Sequence, residues 1–357
     1  MRLTIQCGVV RLTKFKRSAL DKEYNAVQKV VKLSSEGLDF LSVYDDIKIY
    51  SANKQQALRY FKKHKSKEYP ISLRNDLINL HRAKSFWFLK IPVYGIRGGI
   101  RIPIKPHKEF PKQFKICESK LIRKNDKYIV MITIEFDAPK LRRCSSVLAI
   151  DLGERFTATA VLLQDRNVMK VKFLGREIRG IRRHYAWLRK RLQERGITKV
   201  VARIGNKEKR CVNNILHNIS KKVVSLADST NSCIVLGDLK GIRKSAKGRR
   251  MNRIVSNMPF YKLTKMIEYK AEALGIPVIK VCEAYTSKTC HICGEVGKRK
   301  TQGLFFCKTC GEYNADLNGA LNIAKRLTSY MLVSGAFCEQ AHNSVVFNHH
   351  KSPEATE

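Results

Sequence analysis

Two Cys-x-x-Cys pairs, Cys290/Cys293 and Cys307/Cys310, stand thirteen residues apart, counted between their inner members. Such a pair presents two thiolates from one tight turn, and two pairs together close a tetrahedron around a single zinc ion. Two disulfides, or four unrelated core cysteines, are the alternatives. Structural zinc would shape a small ribbon, expected over residues 286–313, and would do no chemistry itself. The chemistry is expected from acids. Asp151 ends an apolar run in VLAIDLGERFTATAV, and Asp316 opens an apolar-periodic run in NADLNGALNIA. A buried carboxylate is costly unless cations or hydrogen bonds compensate it. Taken singly, Asp151 could shape a turn, and Asp316 could be a first-turn acid favoured by the helix macrodipole. Taken together they suggest a site for hard divalent cations. Oxygen ligands select Mg²⁺ or Mn²⁺, and two such ions about 3.5 to 4 Å apart can clamp an in-line displacement at a phosphodiester.

Positioning these groups requires a sheet with helices around it. Val147–Asp151, Phe156–Leu163 and Val168–Leu174 read as three strands in hairpin order. Helices at 176–195 and 209–229 follow, then a buried strand at Cys233–Leu239, a helix at 259–274 and a strand at Ile276–Cys282. Alternation of this kind implies a mixed sheet covered by helices. Before it lie strand-like runs at 2–12, 85–93, 99–104, 115–122 and 128–136, with helices expected at 20–33, 52–63 and 72–82. That part reads as a small β-barrel with a helical insertion. The expected organisation is a nucleic-acid-binding domain over residues 1–140, a second domain over 141–335, and a disordered tail over 336–357.

The charge narrows the partner. Seventy Lys and Arg against thirty Asp and Glu leave a formal charge of +40 on 357 residues. Such an excess repels itself until a polyanion neutralises it, and nucleic acid is the default polyanion. No run approaches the roughly 18 to 20 apolar residues of a spanning helix, so no membrane partner is expected. The N-terminus alternates like a basic strand and lacks the apolar centre of a signal peptide. The other cysteines show no pairing pattern, which suits reduced thiols in a cytoplasmic protein.

Four blocks, AIDLGERFTATAV, IVLGDLKGIR, YTSKTCHICG and NADLNGALNIAKR, in that order, resemble the TnpB (OrfB-type) family of transposon-encoded, RuvC-like, RNA-guided nucleases. The resemblance is specific from Val147 to Arg326. It implies an α/β fold: an RNase H-like (RuvC) mixed sheet with the zinc ribbon inserted before the last helix, behind an N-terminal wedge-like β-barrel domain. It also implies that Asp151 and Asp316 are the first and third metal-binding acids.

The family's second acid is usually a Glu in the strand that here reads IVLGDL, and Gly237 stands at that position. Asp238 is adjacent, but strand alternation turns it to the opposite face. Either the site is silent, leaving an RNA-guided, repressor-like DNA-binding protein, or another acid fills the gap. Glu283 is the preferred candidate. It follows a strand that a single right-handed crossover places parallel to Cys233–Leu239, about 4.8 Å away. The carboxyl ends of adjacent parallel strands share the edge where open α/β sheets bind ligands. A glycine at 237 leaves room for the longer side chain.

What the resemblance then implies is an RNA-guided, Mg²⁺- or Mn²⁺-dependent DNA endonuclease of a mobile element, associated with transposition. Asp151 would bridge two ions, with Glu283 and Asp316 holding one each. A guide RNA from the element's end would pair with one strand of double-stranded DNA while the protein holds the unwound target. Lys240, Arg243 and Lys288 are candidates to neutralise nonbridging phosphate oxygens.

Overall fold

The computed structural model describes residues 1–35, 46–60, 68–83, 86–165, 167–239, 248, 252, 255 and 258–334, with side chains as far as Leu327 and without that of Tyr60. Lys240, Arg243 and the tail at 336–357 lie outside the described residues. The chain divides into two compact units, Met1–Asp137 and 138–357.

The first unit is an antiparallel sheet around one long helix. Its strands are β1 (Arg2–Val9), β2 (Ile71–Leu73), β3 (Asn79–Ala83), β4 (Phe86–Ile91), β5 (Ile100–Pro106), β6 (Lys115–Ile116), β7 (Ser119–Lys124) and β8 (Lys127–Glu135). The order is β2-β7-β8-β1-β5-β4-β3, with β6 also on β8. Alternation sets the inner face: Ile5 and Cys7, Ile102 and Ile104, and Val130, Ile132 and Ile134 are buried. They share a core with Leu20, Tyr24, Val27 and Val31 of α1 (Lys14–Ser35), which recur at helical spacing. The β7–β8 hairpin turns on Asn125 and Asp126, both at positive φ, the backbone a two-residue type I′ turn requires.

Two expectations for this unit are corrected. Residues 72–82 form no helix; they run from β2 through a turn into β3. Leu73, Leu77 and Leu80 mimic helical spacing, but Ile71 and Leu73 are buried with period two because β2 pairs with β7. The barrel also remains an open strip, since β2 and β3 end the sheet without pairing to each other among the described residues. The helix α2 (Ser51–Tyr60) covers the first part of the expected 52–63 segment; residues 61–63 lie outside the described set.

The second unit carries β9 (Ser146–Asp151), β10 (Ala158–Gln164), β11 (Asn167–Leu174), α3 (Glu177–Glu194), α4 (Thr198–Ser229), β12 (Ser232–Asp238), α5 (Phe260–Glu272) and β13 (Val278–Cys282). A small sheet of β14 (Lys298–Thr301), β15 (Leu304–Cys307) and β16 (Gly311–Asn314) follows, and α6 (Ala315–Ser334) closes the described chain. The helix α4 starts earlier than the expected residue 209, directly after Gly196 at φ +69° ends α3.

The main sheet has the order β11-β10-β9-β12-β13. Its first three strands are antiparallel, whereas β12 lies parallel to both β9 and β13. Period two sorts the side chains by face. Leu148, Ile150, Ile234 and Leu236 pack against Leu216, Ile219 and Val223 of α4 and Leu263 and Ile267 of α5. Val147, Ala149, Cys233 and Val235, with Ile279 and Val281 beside them, pack against Ile323, Ala324 and Leu327 of α6. The α6 face leads to the acids.

Candidate active site and metal centre

Continue that face by one strand step and each apolar row reaches a residue of interest. After Val147 and Ala149 comes Asp151; after Cys233 and Val235 comes Gly237; after Ile279 and Val281 comes Glu283. The register pairs Gly237 with Val281, so Glu283 begins just beyond Gly237 on the neighbouring strand. Its side chain folds back over the glycine: a Cβ added at residue 237 would overlap Glu283 Oε1, Cγ and Cδ. Asp238 follows Ile234 and Leu236 on the other face.

The third acid arrives on α6. Asn314 caps this helix, its Oδ1 accepting from the amides of Asp316 (2.9 Å) and Leu317 (3.1 Å). Asp316 therefore sits in the first turn, where the macrodipole favours a negative charge. One turn on, Gly319 faces β9, and a Cβ there would lie 3.0 Å from Asp151 Oδ2. Gly153 lies beneath Asp316, with its own Cβ position 3.7 Å from Asp316 Oδ1. Three glycines thus make the space into which three carboxylates turn.

The acids are electrically strained against one another. Burial pushes the Asp151 carboxyl up to about 7, and the negative charge of Asp316 adds to the rise. Burial likewise pushes Glu283 up to about 8, helped by Asp151 and then Asp238 and opposed by Arg326. Asp316, with only 4% of its side chain exposed, is also raised by burial, although Arg299 donates to its Oδ1 at 2.9 Å. Glu283 Oε1 and Asp316 Oδ2 are buried and have no hydrogen-bond partner. Orphaned, buried, acidic oxygens around a space without Cβ atoms fit a hard divalent cation. They are spread more widely than one tight cage, because among the described residues only the four cysteines bring three or more ligand atoms within 4.8 Å of one another.

That cysteine group, Cys290, Cys293, Cys307 and Cys310, could hold a zinc ion. None of the four is in a disulfide. Each pair ends on a glycine at positive φ, Gly294 (+82°) and Gly311 (+91°), the left-handed step that lets the knuckle close around its sulfurs. Burial opposes ionisation of Cys290, but hydrogen bonds from the Tyr313 hydroxyl and backbone amides outweigh it and bring this thiol down to about 6. The thiolate is the form zinc binds.

Several residues around the acids lie outside the cysteine spacing and the acid-ended strands that mark the site in the sequence. Asn318, Asn322 and Arg326 recur every fourth residue on α6 and bind the turn between β13 and the cysteines. Asn318 donates to Thr289 O (2.8 Å), and Asn322 donates to Thr286 O (2.8 Å) and Thr289 O (2.7 Å). Arg326 donates to the carbonyls of Cys282 and Ala284, the two residues flanking Glu283. A polar stripe with period four on an otherwise apolar helix was the available clue. The cations whose charge reaches the acids are Arg299, Arg155 and Arg326. Lys288 is exposed, with its ammonium 5.9 Å from the Tyr285 ring centre.

The Cas12f1-like TNB domain family matches residues 260–323, from α5 through the cysteines into α6. The chain is 31% identical to the CRISPR-associated endodeoxyribonuclease Cas12f1 of Sulfoacidibacillus thermotolerans, over 59% of this chain and 54% of the relative. It is 30% identical to a Cas12f2 of a Micrarchaeota archaeon, over 58% of this chain and 42% of the relative. The chain thus spans about half the length of these two relatives. Against a TnpB-like protein of Methanocaldococcus jannaschii the identity is 30%, over 50% of this chain and 68% of that protein. Among solved structures, the Cas12f1 chain of a cryo-EM Cas12f1–sgRNA–target DNA complex superposes with a TM-score of 0.55 at 14% identity, covering 87% of this chain and 82% of that one. The fold is therefore Cas12-like. The chain belongs to the TnpB family.

Proposed function

We propose that the protein is an RNA-guided, metal-dependent DNA endonuclease of a mobile element. Its two relatives quoted first are named endodeoxyribonucleases, and the solved neighbour was captured with guide RNA and target DNA. The sheet order β11-β10-β9-β12-β13, antiparallel then parallel, supports an RNase H-like (RuvC) reading of the second unit. On the same reading the first unit is a wedge-like domain that grips nucleic acid, and residues 286–313 are a zinc ribbon inserted ahead of α6.

The observation that carries the proposal is the Glu283 carboxylate lying in the space over Gly237, beside Asp151. Asp151, Glu283 and Asp316 would hold two Mg²⁺ or Mn²⁺ ions. Bound there, the ions would supply Lewis acidity to the attacking water and the departing oxygen of a phosphodiester. The chain's own contribution is to turn the three carboxylates toward one glycine-lined space, with Glu283 Oε1 and Asp316 Oδ2 buried and unpartnered, where desolvation disfavours the ionised forms and a bound cation would favour them. Arg326 fixes the backbone on both sides of Glu283 and holds its carboxylate in register.

A second reading, guided DNA binding without cutting, is favoured by the missing side chain at 237 and by acids that do not close into one tight ligand group among the described residues. Cleavage of a guide-matched duplex with Mg²⁺, wild type against Glu283→Ala and Glu283→Gln, separates the two. Cutting by wild type and not by the variants supports the nuclease. Equal cutting by all three removes Glu283 from the site, and no cutting by wild type leaves the binder.

A further inference from the structure

Tyr285 is the residue the proposed site does not use. It lies two positions beyond Glu283, a chain span of at most about 7 Å. Its φ is +65°, a left-handed backbone that a bulky L-residue adopts only at a cost. Its side chain is nonetheless in the solvent, with the residue 70% exposed.

The surroundings hold that backbone firmly. Its carbonyl accepts from the amides of Lys288 (2.9 Å) and Thr289 (3.0 Å) and from the Thr289 hydroxyl (3.0 Å). On either side, Arg326 binds Ala284 O and Asn322 binds Thr286 O. Among the described residues no aromatic ring stacks on Tyr285, while the Lys288 ammonium stands 5.9 Å from its ring centre. A strained, braced backbone that presents a free ring with a cation at its face is a stacking platform, and its ligand is a flat, unpaired base beside a phosphate.

We propose that Tyr285 stacks an unpaired nucleobase of the single-stranded DNA entering the acid site and so positions the phosphodiester for attack. This rests on the nuclease reading for its purpose, but not for its test.

Zinc-loaded full-length protein in magnesium-free buffer is irradiated with a single-stranded oligonucleotide carrying 5-iodouracil for thymine, and the crosslinked peptides are sequenced. The expected adduct is on Tyr285. Tyr285→Ala should lose it and bind the oligonucleotide roughly 5- to 100-fold more weakly at a salt concentration that suppresses non-specific contacts. Tyr285→Phe should retain both the adduct and the affinity. Tyr285→Gly should melt at an unchanged or higher temperature, because glycine accepts the positive φ. Adducts only at other residues, an unchanged affinity in Tyr285→Ala, or a lowered melting temperature in Tyr285→Gly would each overturn the assignment. Because no cleavage is involved, a wild type that forms the adduct but never cuts refutes the nuclease alone. One that cuts but forms no adduct at Tyr285 refutes the platform alone.

Discussion

The Glu283 carboxylate fills the space that any side chain at residue 237 would occupy. The two positions are thus mutually exclusive, and an acid can be supplied from either strand but not from both. Gly237→Ala should fold, because the clashing atoms are the far end of a flexible side chain, yet it should displace the carboxylate and abolish cleavage. The double variant Gly237→Glu with Glu283→Ala returns the acid to β12. It should recover a measurable part of the rate lost in Glu283→Ala alone. A double variant no better than the single one would contradict the exchange.

Acidity of the site gives a pH signature. Free carboxyls titrate near 4, whereas those of Asp151 and Glu283 stand at about 7 and about 8 in the fold. Between these values the folded protein keeps protons that the unfolded chain has released, so stability falls as pH rises through this window. The melting temperature of magnesium-free protein should accordingly decline toward about pH 8, and Glu283→Gln should flatten the decline. Added Mg²⁺ needs the ionised acids, so its stabilising effect should grow over the same range. Parallel profiles for wild type and Glu283→Gln would be inconsistent with a buried, proton-holding Glu283.

Gly319 separates helix stability from activity. Alanine there should strengthen α6 by up to about 1 kcal/mol through helix propensity. Its methyl group would also stand 3.0 Å from Asp151 Oδ2 and push that acid off its position. We expect an equal or higher melting temperature with cleavage reduced about tenfold or more, comparable to displacing a supporting group around a metal. Wild-type rates in Gly319→Ala would show that Asp151 has room to spare.

Zinc should be present and structural. Metal analysis should find a single zinc per chain, and Cys307→Ser should lose it. The cysteine region and α6 share hydrogen bonds, including His291 N to Asn318 Oδ1 at 2.9 Å, and Arg299 of β14 pairs with Asp316. Zinc loss should therefore lower the melting temperature by roughly 5 to 10 °C and slow cleavage together. Full activity in metal-stripped protein would make the ribbon dispensable.

Much of this geometry was legible because it follows period two. A buried strand at Cys233–Leu239 and a further strand at Ile276–Cys282 with one helix between them allow little but a parallel pair, and the parity of 237, 281 and 283 then sends Glu283 over Gly237. The cysteines were legible from spacing. The turn at 74–77 was not, since Leu73, Leu77 and Leu80 fit a helix as well as they fit two short strands. Nor was Arg299: in a chain of seventy cations, only tertiary contact distinguishes the one that meets Asp316. Closure of the first sheet depends on its edge strands, and no local pattern records whether two edges meet.

The helix α6 contributes Asp316, makes room for Asp151 at Gly319, and braces Glu283 through Arg326, yet it is the last described element to leave the ribosome. A chain stopped just before α6 consequently has β9, β12 and β13 but no assembled trio of acids. The three acids can therefore meet only once α6 has been made, and a message cut short before Ala315 yields a chain that lacks Asp316.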